Sequence, residues 1–399
     1  MLYTARNLSL IASLSAVGLL TACGGGGDSS TSSATSGTLA VSLTDAPSCG
    51  YDAVNVTVNK VRVNKSASAS DTDGGWTDIT LSPARKINLL NLTNGTLDQL
   101  GQTALDSGHY SQLRLVLDAN AGNALANSVV LTGTTAEISL DTPSAVQSGL
   151  KLGHEFDVAA GQRVDLVLDF DACKSIVVKG NGKYALKPVI TVIPTVLNGI
   201  SGYVSGGSNV AVSAQQNGVI VRSTVPDPTT GAFYLARVAP GNYDVVMTAD
   251  SRSTTVIAAV PVATLTTTTV VSTAAVPITL PTAAAGRDIS GKITYPVNYA
   301  ESGYVGAQQT FAAGPKVTVK YQGVDVSTGA YTIANLQTSA PQLGLYSTTL
   351  PIVFTAKSDT TPGTGKYAVE STAVGLASKT ITPVDLTTSS QTNVNFMMQ

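Results

Sequence analysis

Apolar residues recur at every second position through much of this chain. Leu39, Val41 and Leu43 alternate with small or polar residues, as do Leu113, Leu115 and Leu117, and again Tyr243, Val245 and Met247. A period of two marks strands with one buried face. The run from Val54 to Val63 changes phase partway. Val54, Val56 and Val58 share one face while Val61 and Val63 fall on the other, so the pattern predicts a β-bulge near Asn59-Lys60. Turn signals separate the runs: Thr44-Asp45-Ala46-Pro47, the loop SASASDTDGG ahead of Trp76, and Pro240-Gly241. Within the first part of the chain only Thr96 to Gly101 reads as helical, because Leu97 and Leu100 stand at i, i+3. Arg114 falls on the outward face of its strand, and Arg163 to Ala172 with Tyr184 to Ile193 are expected to complete the sheet. Val394, Phe396 and Met398 alternate to the end, predicting a final paired strand.

A length of 399 residues suggests two or three domains, and the abundance of Thr, Ser, Val, Ala and Gly favours strands over helices. The expected fold class is all-β: three tandem β-sandwich-like modules, with at most one short helix in the first. Charged residues make up only 12% and the formal net charge is -2, which excludes nucleic acid or an anionic membrane as a partner held by bulk electrostatics.

Two weak recurrences support the tandem reading. Ile200-Ser201-Gly202 returns as Ile289-Ser290-Gly291, and Thr230-Gly231-Ala232-Phe233-Tyr234-Leu235 as Thr328-Gly329-Ala330-Tyr331-Thr332-Ile333. The second copy carries a longer TSAPQLGLYSTTLP in place of the first copy's turn, and Thr264 to Thr282 reads as a last strand and a linker.

The N-terminus has a targeting pattern. Met1 to Asn7 carry Arg6 and no acid, and Leu8 to Leu20 form an apolar run too short to span a bilayer comfortably. The run ends in Leu20-Thr21-Ala22-Cys23, which resembles the lipobox of bacterial lipoproteins. That resemblance implies cleavage before Cys23, lipidation of its thiol and anchoring of the mature protein to a membrane through acyl chains, each buried methylene adding roughly 0.8 kcal/mol. Gly24 in place of an inner-membrane retention Asp implies the outer membrane, with the leaflet open. Residues 24–37 are Gly/Ser/Thr-rich and suit a flexible tether reaching ~20 Å. Cys49 and Cys173 remain as an even pair in an oxidising compartment, expected either as a disulfide or as two separate buried thiols.

The segments LTDAPSCGYDAVNVTVNKVRVNKS, GGWTDI, INLLNLTNGTLDQLGQTALDSGHYSQLRLVLD and VLDFDACKSIV resemble, in order, the N-terminal domain of a bacterial lipoprotein family catalogued only as a domain of unknown function. The resemblance implies a location and no reaction. Further on, TGAFYLARVAPGNYDVVMTA resembles the carboxypeptidase-regulatory-like, or prealbumin-like, β-sandwich grouped with carbohydrate-binding-like folds. The resulting division is 1–22 signal peptide, 23–37 lipidated Cys and tether, 38–195 first β domain, 197–280 regulatory-like sandwich and 286–399 a divergent second sandwich.

Candidate chemistry is sparse. The two histidines, His109 and His154, sit beside glycines in turn-like contexts, and no nucleophile elbow, zinc motif or phosphate loop appears, so a non-enzyme with no cofactor is expected. Asp165, Asp169 and Asp171 alternate with Leu166, Leu168 and Phe170, which suits weak calcium ligation or a solvated strand face. The Asp71-Thr72-Asp73-Gly74-Gly75 loop admits calcium or a plain turn. Trp76, Tyr51, Tyr110, Tyr299 and Tyr304 are candidate ligand-stacking aromatics, or else core and turn aromatics. The expected function is a cell-envelope binding or adhesion module with carbohydrate as ligand class. The alternative is a spacer presenting the first domain to an envelope protein, and a cryptic enzyme ranks last.

Overall fold

A computed structural model describes residues 36–45, 50–121, 125–142, 146, 148–194, 198–299 and 303–399. The expected signal peptide, Cys23, most of the expected tether and Cys49 lie outside the described residues. The fold is all-β. Its few helical residues include a 3-10 turn at Leu89–Leu92 and a one-turn helix at Ala172–Ser175. Buried apolar side chains gather into three cores.

The first core is packed between two sheets. In the smaller sheet, Ser36–Asp45 pairs in parallel with Arg163–Phe170 and antiparallel with Asp98–Asp106. Tyr51–Asn64 runs through the larger sheet, flanked by Thr77–Asn88, Gln112–Leu117 and Ser128–Leu131. Its register shifts between Val58 and Lys60, and the shift lets Val54, Val56, Val58, Val61 and Val63 all reach the core. The bulge read from the phase change is therefore present.

The expected helix at Thr96 to Gly101 is instead the start of Asp98–Asp106. Leu100 and Leu105 point inward, Leu97 is 38% exposed, and a register irregularity faces Gly101, whose φ of 149° lies outside ordinary side-chain territory. An irregular strand imitated the i, i+3 spacing. The closing strands also divide differently. Ile190–Pro194 pairs with Arg163–Phe170, whereas Tyr184–Leu186 joins the other sheet beside Ile176–Val178.

The recurrent motifs occupy matching positions. Ser201 and Gly202 pair with Tyr234 and Phe233, and Ser290 and Gly291 with Thr332 and Tyr331. Gly231 and Gly329 share φ +71°, and a Cβ on either would stand 2.2 Å from the carbonyl oxygen of Val204 or Ile293. Asp227 and Asp325 close the two preceding turns alike, each accepting backbone N–H bonds from the residues two and three ahead.

A simple tandem does not describe these two units, because the longer loop of the second copy leaves it. Gln342–Leu345 pairs in parallel with Thr255–Val262 of the preceding unit, and Thr355–Ala356 pairs with Gln342–Leu345. The sheet Val219–Thr224, Ala211–Gln216, Gly241–Thr248, Thr255–Val262, Gln342–Leu345, Thr355–Ala356 is thereby shared. It is also buried on both faces. Tyr243, Val245, Met247, Ile257 and Val260 enter one core, which Ile352 helps to fill, while Val246, Val256 and Ala258 enter the other. The last strand, Phe396–Met397, pairs with Arg287–Thr294 and closes the chain in a sheet as its alternation requires.

Candidate functional site

The sequence placed its candidates on exposed aromatic and acidic groups, and the structure occupies most of these internally. Arg114 is 1% exposed, not outward, because the Ser66–Trp76 loop folds over it. Its guanidinium donates to the carbonyls of Ala69 (2.6 Å) and Ser148 (2.9 Å) and to Gln112 Oε1 (2.9 Å). Trp76 has Arg62 at 4.5 Å and Arg114 at 4.6 Å from its ring centroid, and its Nε1 donates to Ser70 O. A ring so covered is a poor sugar platform. Within the same loop Asp73 accepts from Ser70 N, and these hydrogen bonds hold its carboxyl below the usual range.

Tyr110 is buried and stacks on Phe156 at 5.4 Å. Tyr299 stacks on Tyr295 at 5.0 Å and donates to Val374 O. Tyr304 donates to Lys174 O at 2.7 Å. The three candidate aspartates take different partners: Asp165 pairs with Arg163, Asp169 with Arg222, and Asp171, beyond the strand end, caps the Ala172–Ser175 turn and pairs with Lys174. Among the described residues no group of three or more His, Cys, Asp or Glu is placed to hold a metal ion.

The histidines titrate in opposite directions. His109 is exposed, with Asp157 at 2.9 Å from Nδ1 and Glu155 at 3.2 Å from Nε2, and hydrogen bonds to these carboxylates raise its pKa. The stability this cluster adds is present in full below the ordinary histidine value, about 6.5, and is lost as pH rises through the raised one. Burial lowers the pKa of His154, so its contribution is present above the ordinary value and lost as pH falls through the lowered one. Imidazole NMR should show two titrations flanking the ordinary value, and His109→Gln should delete the upper one. A shared midpoint would contradict the geometry.

One concave feature joins all three units, a cleft of ≈ 510 Å³. The first unit contributes Gly50, Tyr51, Asp52, Thr132 and Cys173. The second contributes Asn209–Ser213, Ser223, Thr248 and Asp250, and the third Thr318–Gln322 and Thr332–Asn335. Sequence reading found one wall residue among its ligand candidates, Tyr51, and missed the second- and third-unit residues, which meet it only across the units. Burial and the neighbouring Tyr184 raise the Tyr51 hydroxyl, and its ring meets Tyr184 edge-on at 6.3 Å. The charges in the wall have protein partners: Asp250 accepts from Asn209 (2.7 Å) and pairs with Lys320 (3.6 Å), and Asp52 accepts from Gly133 N (2.9 Å). Burial pulls Lys320 below the usual lysine range, with Asp250 opposing. Aliphatic side chains such as Ile220, Val225 and Ile333, together with hydroxyls, amides and ring faces, are what such a surface offers an incoming molecule.

Residues 36–188 match the domain of unknown function DUF4382. No curated protein matches the chain. Among solved structures, a cohesin–X-dockerin complex from Acetivibrio cellulolyticus is 27% identical over 21% of this chain and 56% of its own, with a TM-score of 0.17. The Bacillus anthracis TIE protein is 11% identical over 91% of this chain and 50% of its own, with a TM-score of 0.16. A streptococcal ancillary pilin is 10% identical over 90% and 98%, also with a TM-score of 0.16. This chain thus spans about half the length of the first two, and TM-scores this low define no common overall arrangement.

Proposed function

We propose that the protein is a non-catalytic, lipid-anchored envelope protein that binds an uncharged polyhydroxylated ligand, carbohydrate being the class that fits, in the cleft where its three units meet. The observation that carries this reading is the cleft itself. Its volume falls in the range of about 300–1,000 Å³ usual for small-ligand sites, and its charges are satisfied from within, so an ionic ligand would bring an uncompensated charge. Anchorage at Cys23 to the outer membrane, and the regulatory-like ancestry of the second and third units, belong to the same proposal. So does a Cys49–Cys173 disulfide, supported by Gly50 and Cys173 lining one cleft and by Asp45 Oδ1 accepting from Ala172 N at 3.0 Å. The scaffold reading draws on the shared sheet, which ties the second and third units into one support for the first.

A screen of the mature chain against envelope and cell-wall polysaccharides is expected to give a hit weakened about tenfold by Tyr51→Phe or Gln322→Ala, each removing a polar contact, at ~1.4 kcal/mol per decade. Silence against every polysaccharide would move the weight to the scaffold, and undiminished binding by both variants would place the site outside the cleft.

A further inference from the structure

We infer that the first unit is a separate rigid body that rocks against the fused second and third units, so that the cleft opens and shuts and a ligand bridging its walls clamps it. The site is the one proposed above, and its regulation rests on that reading. Two kinds of junction occur in this molecule. Between the second and third units the apolar cores interleave: Val246 and Val256 fill one from the neighbouring sheet, Ile352 fills the other, and Gln215 exchanges two hydrogen bonds with the Thr318 backbone, each 2.8 Å. Parting them would expose apolar surface and break a sheet.

Among the described residues, the buried core of the first unit, by contrast, draws its members from residues 39–186. Its joint with the others includes a set of polar contacts. Asn94 bonds to Thr224 and to Tyr234 N, Arg237 reaches Gly95 O, Tyr304 reaches Lys174 O, and Val326 N donates to Val178 O at 3.1 Å. The half-buried Arg222–Asp169 pair lies here too, where burial and Arg237 pull the Arg222 guanidinium down to about 10. The Nε atoms of Arg222 and Arg237 are buried with no hydrogen-bond partner, so the joint is incompletely satisfied. Polar contacts of this kind are exchanged for water at small net cost. Arg222 and its neighbour Ser223 both belong to Val219–Thr224, the former in the joint and the latter also in the cleft wall, so a movement at one is felt at the other.

Amide hydrogen exchange on the full chain tests this with no ligand present. The Asn94 and Val326 amides cross the joint. The Val246 amide lies in the shared sheet, and Gln342 N, bonded to Thr254 O, helps hold that sheet together. Tyr304→Phe, which deletes the bond to Lys174 O, is expected to speed exchange at Val326 by about fivefold and leave Val246 and Gln342 unchanged. Thr224→Val, isosteric at the other end, takes away the Asn94 amide's own acceptor, so its effect is read at Val326, where exchange should likewise quicken. Joint amides as slow as those of the shared sheet in wild type, and unmoved by either variant, would show a single rigid body and overturn the inference. That result would leave the binding proposal standing, and a failed polysaccharide screen would leave the rocking motion standing.

Discussion

Val246→Asp is expected to melt the second and third units together while sparing the first. Val246 lies on a strand of the second unit, yet its side chain is 2% exposed inside the core of the third. The members of that core are apolar or aromatic side chains. A carboxylate there costs roughly 3–5 kcal/mol as an uncompensated buried charge, a large part of the ~5–15 kcal/mol that holds an ordinary domain folded. Because the sheet is shared, the loss falls on both cores at once. Val353→Asp is the control: it lies in the donated segment but is 77% exposed, and should shift stability by no more than about 0.5 kcal/mol. Circular dichroism melts combined with exchange at Val41 and Leu168, in the first core, would follow the outcome. If the third unit alone unfolded and the Gly241–Thr248 strand kept its protection, the shared core would not be the cooperative unit.

The shared sheet also shows where sequence reading stops. Local phase is legible: the flip between Val58 and Val61 announces a bulge because side chains alternate without exception along a regular strand. The paired Gly231 and Gly329 turns are legible because a Cβ at either collides with a carbonyl, so both copies need glycine and the motif repeats visibly. The partner of Gln342–Leu345 is not legible. A parallel pairing with Thr255–Val262 leaves no turn signature between them, and four residues carry too little pattern to choose an edge. The cleft inherits that obscurity, since its walls come from segments more than 250 residues apart. Tyr51 could be singled out as an aromatic beside a turn, but Asn335 and Gln322 carry no local sign of a site.

Arg114→Ala should strongly destabilise the first unit, and it turns on a misread alternation. Leu113-Arg114-Leu115 looks like a strand with one solvent face, but a loop forty residues earlier in the chain supplies a lid that no periodicity encodes. Truncation leaves the Ala69 and Ser148 carbonyls and Gln112 Oε1 without this donor, at about 1–3 kcal/mol for each group left unpaired in a buried place. Gln112 still donates to Ala69 O, so the summed loss is nearer 3–5 kcal/mol than the full count. Lysine is no substitute, since a single ammonium cannot hold three acceptors in the fork's geometry. Arg114→Lys is therefore expected to recover only part of the loss. Burial and the neighbouring Arg62 already pull the Arg114 pKa down, so the site bears its charge at a cost that these acceptors and the Trp76 ring offset. The readout is unusually direct because Trp76 is the only tryptophan of the chain. In Arg114→Ala its emission should shift to the red and its acrylamide quenching should rise before global unfolding. Unchanged fluorescence alongside a lowered melting temperature would mean that the lid stays shut without its guanidinium, and that Arg62 and the Ser70 carbonyl suffice to hold it.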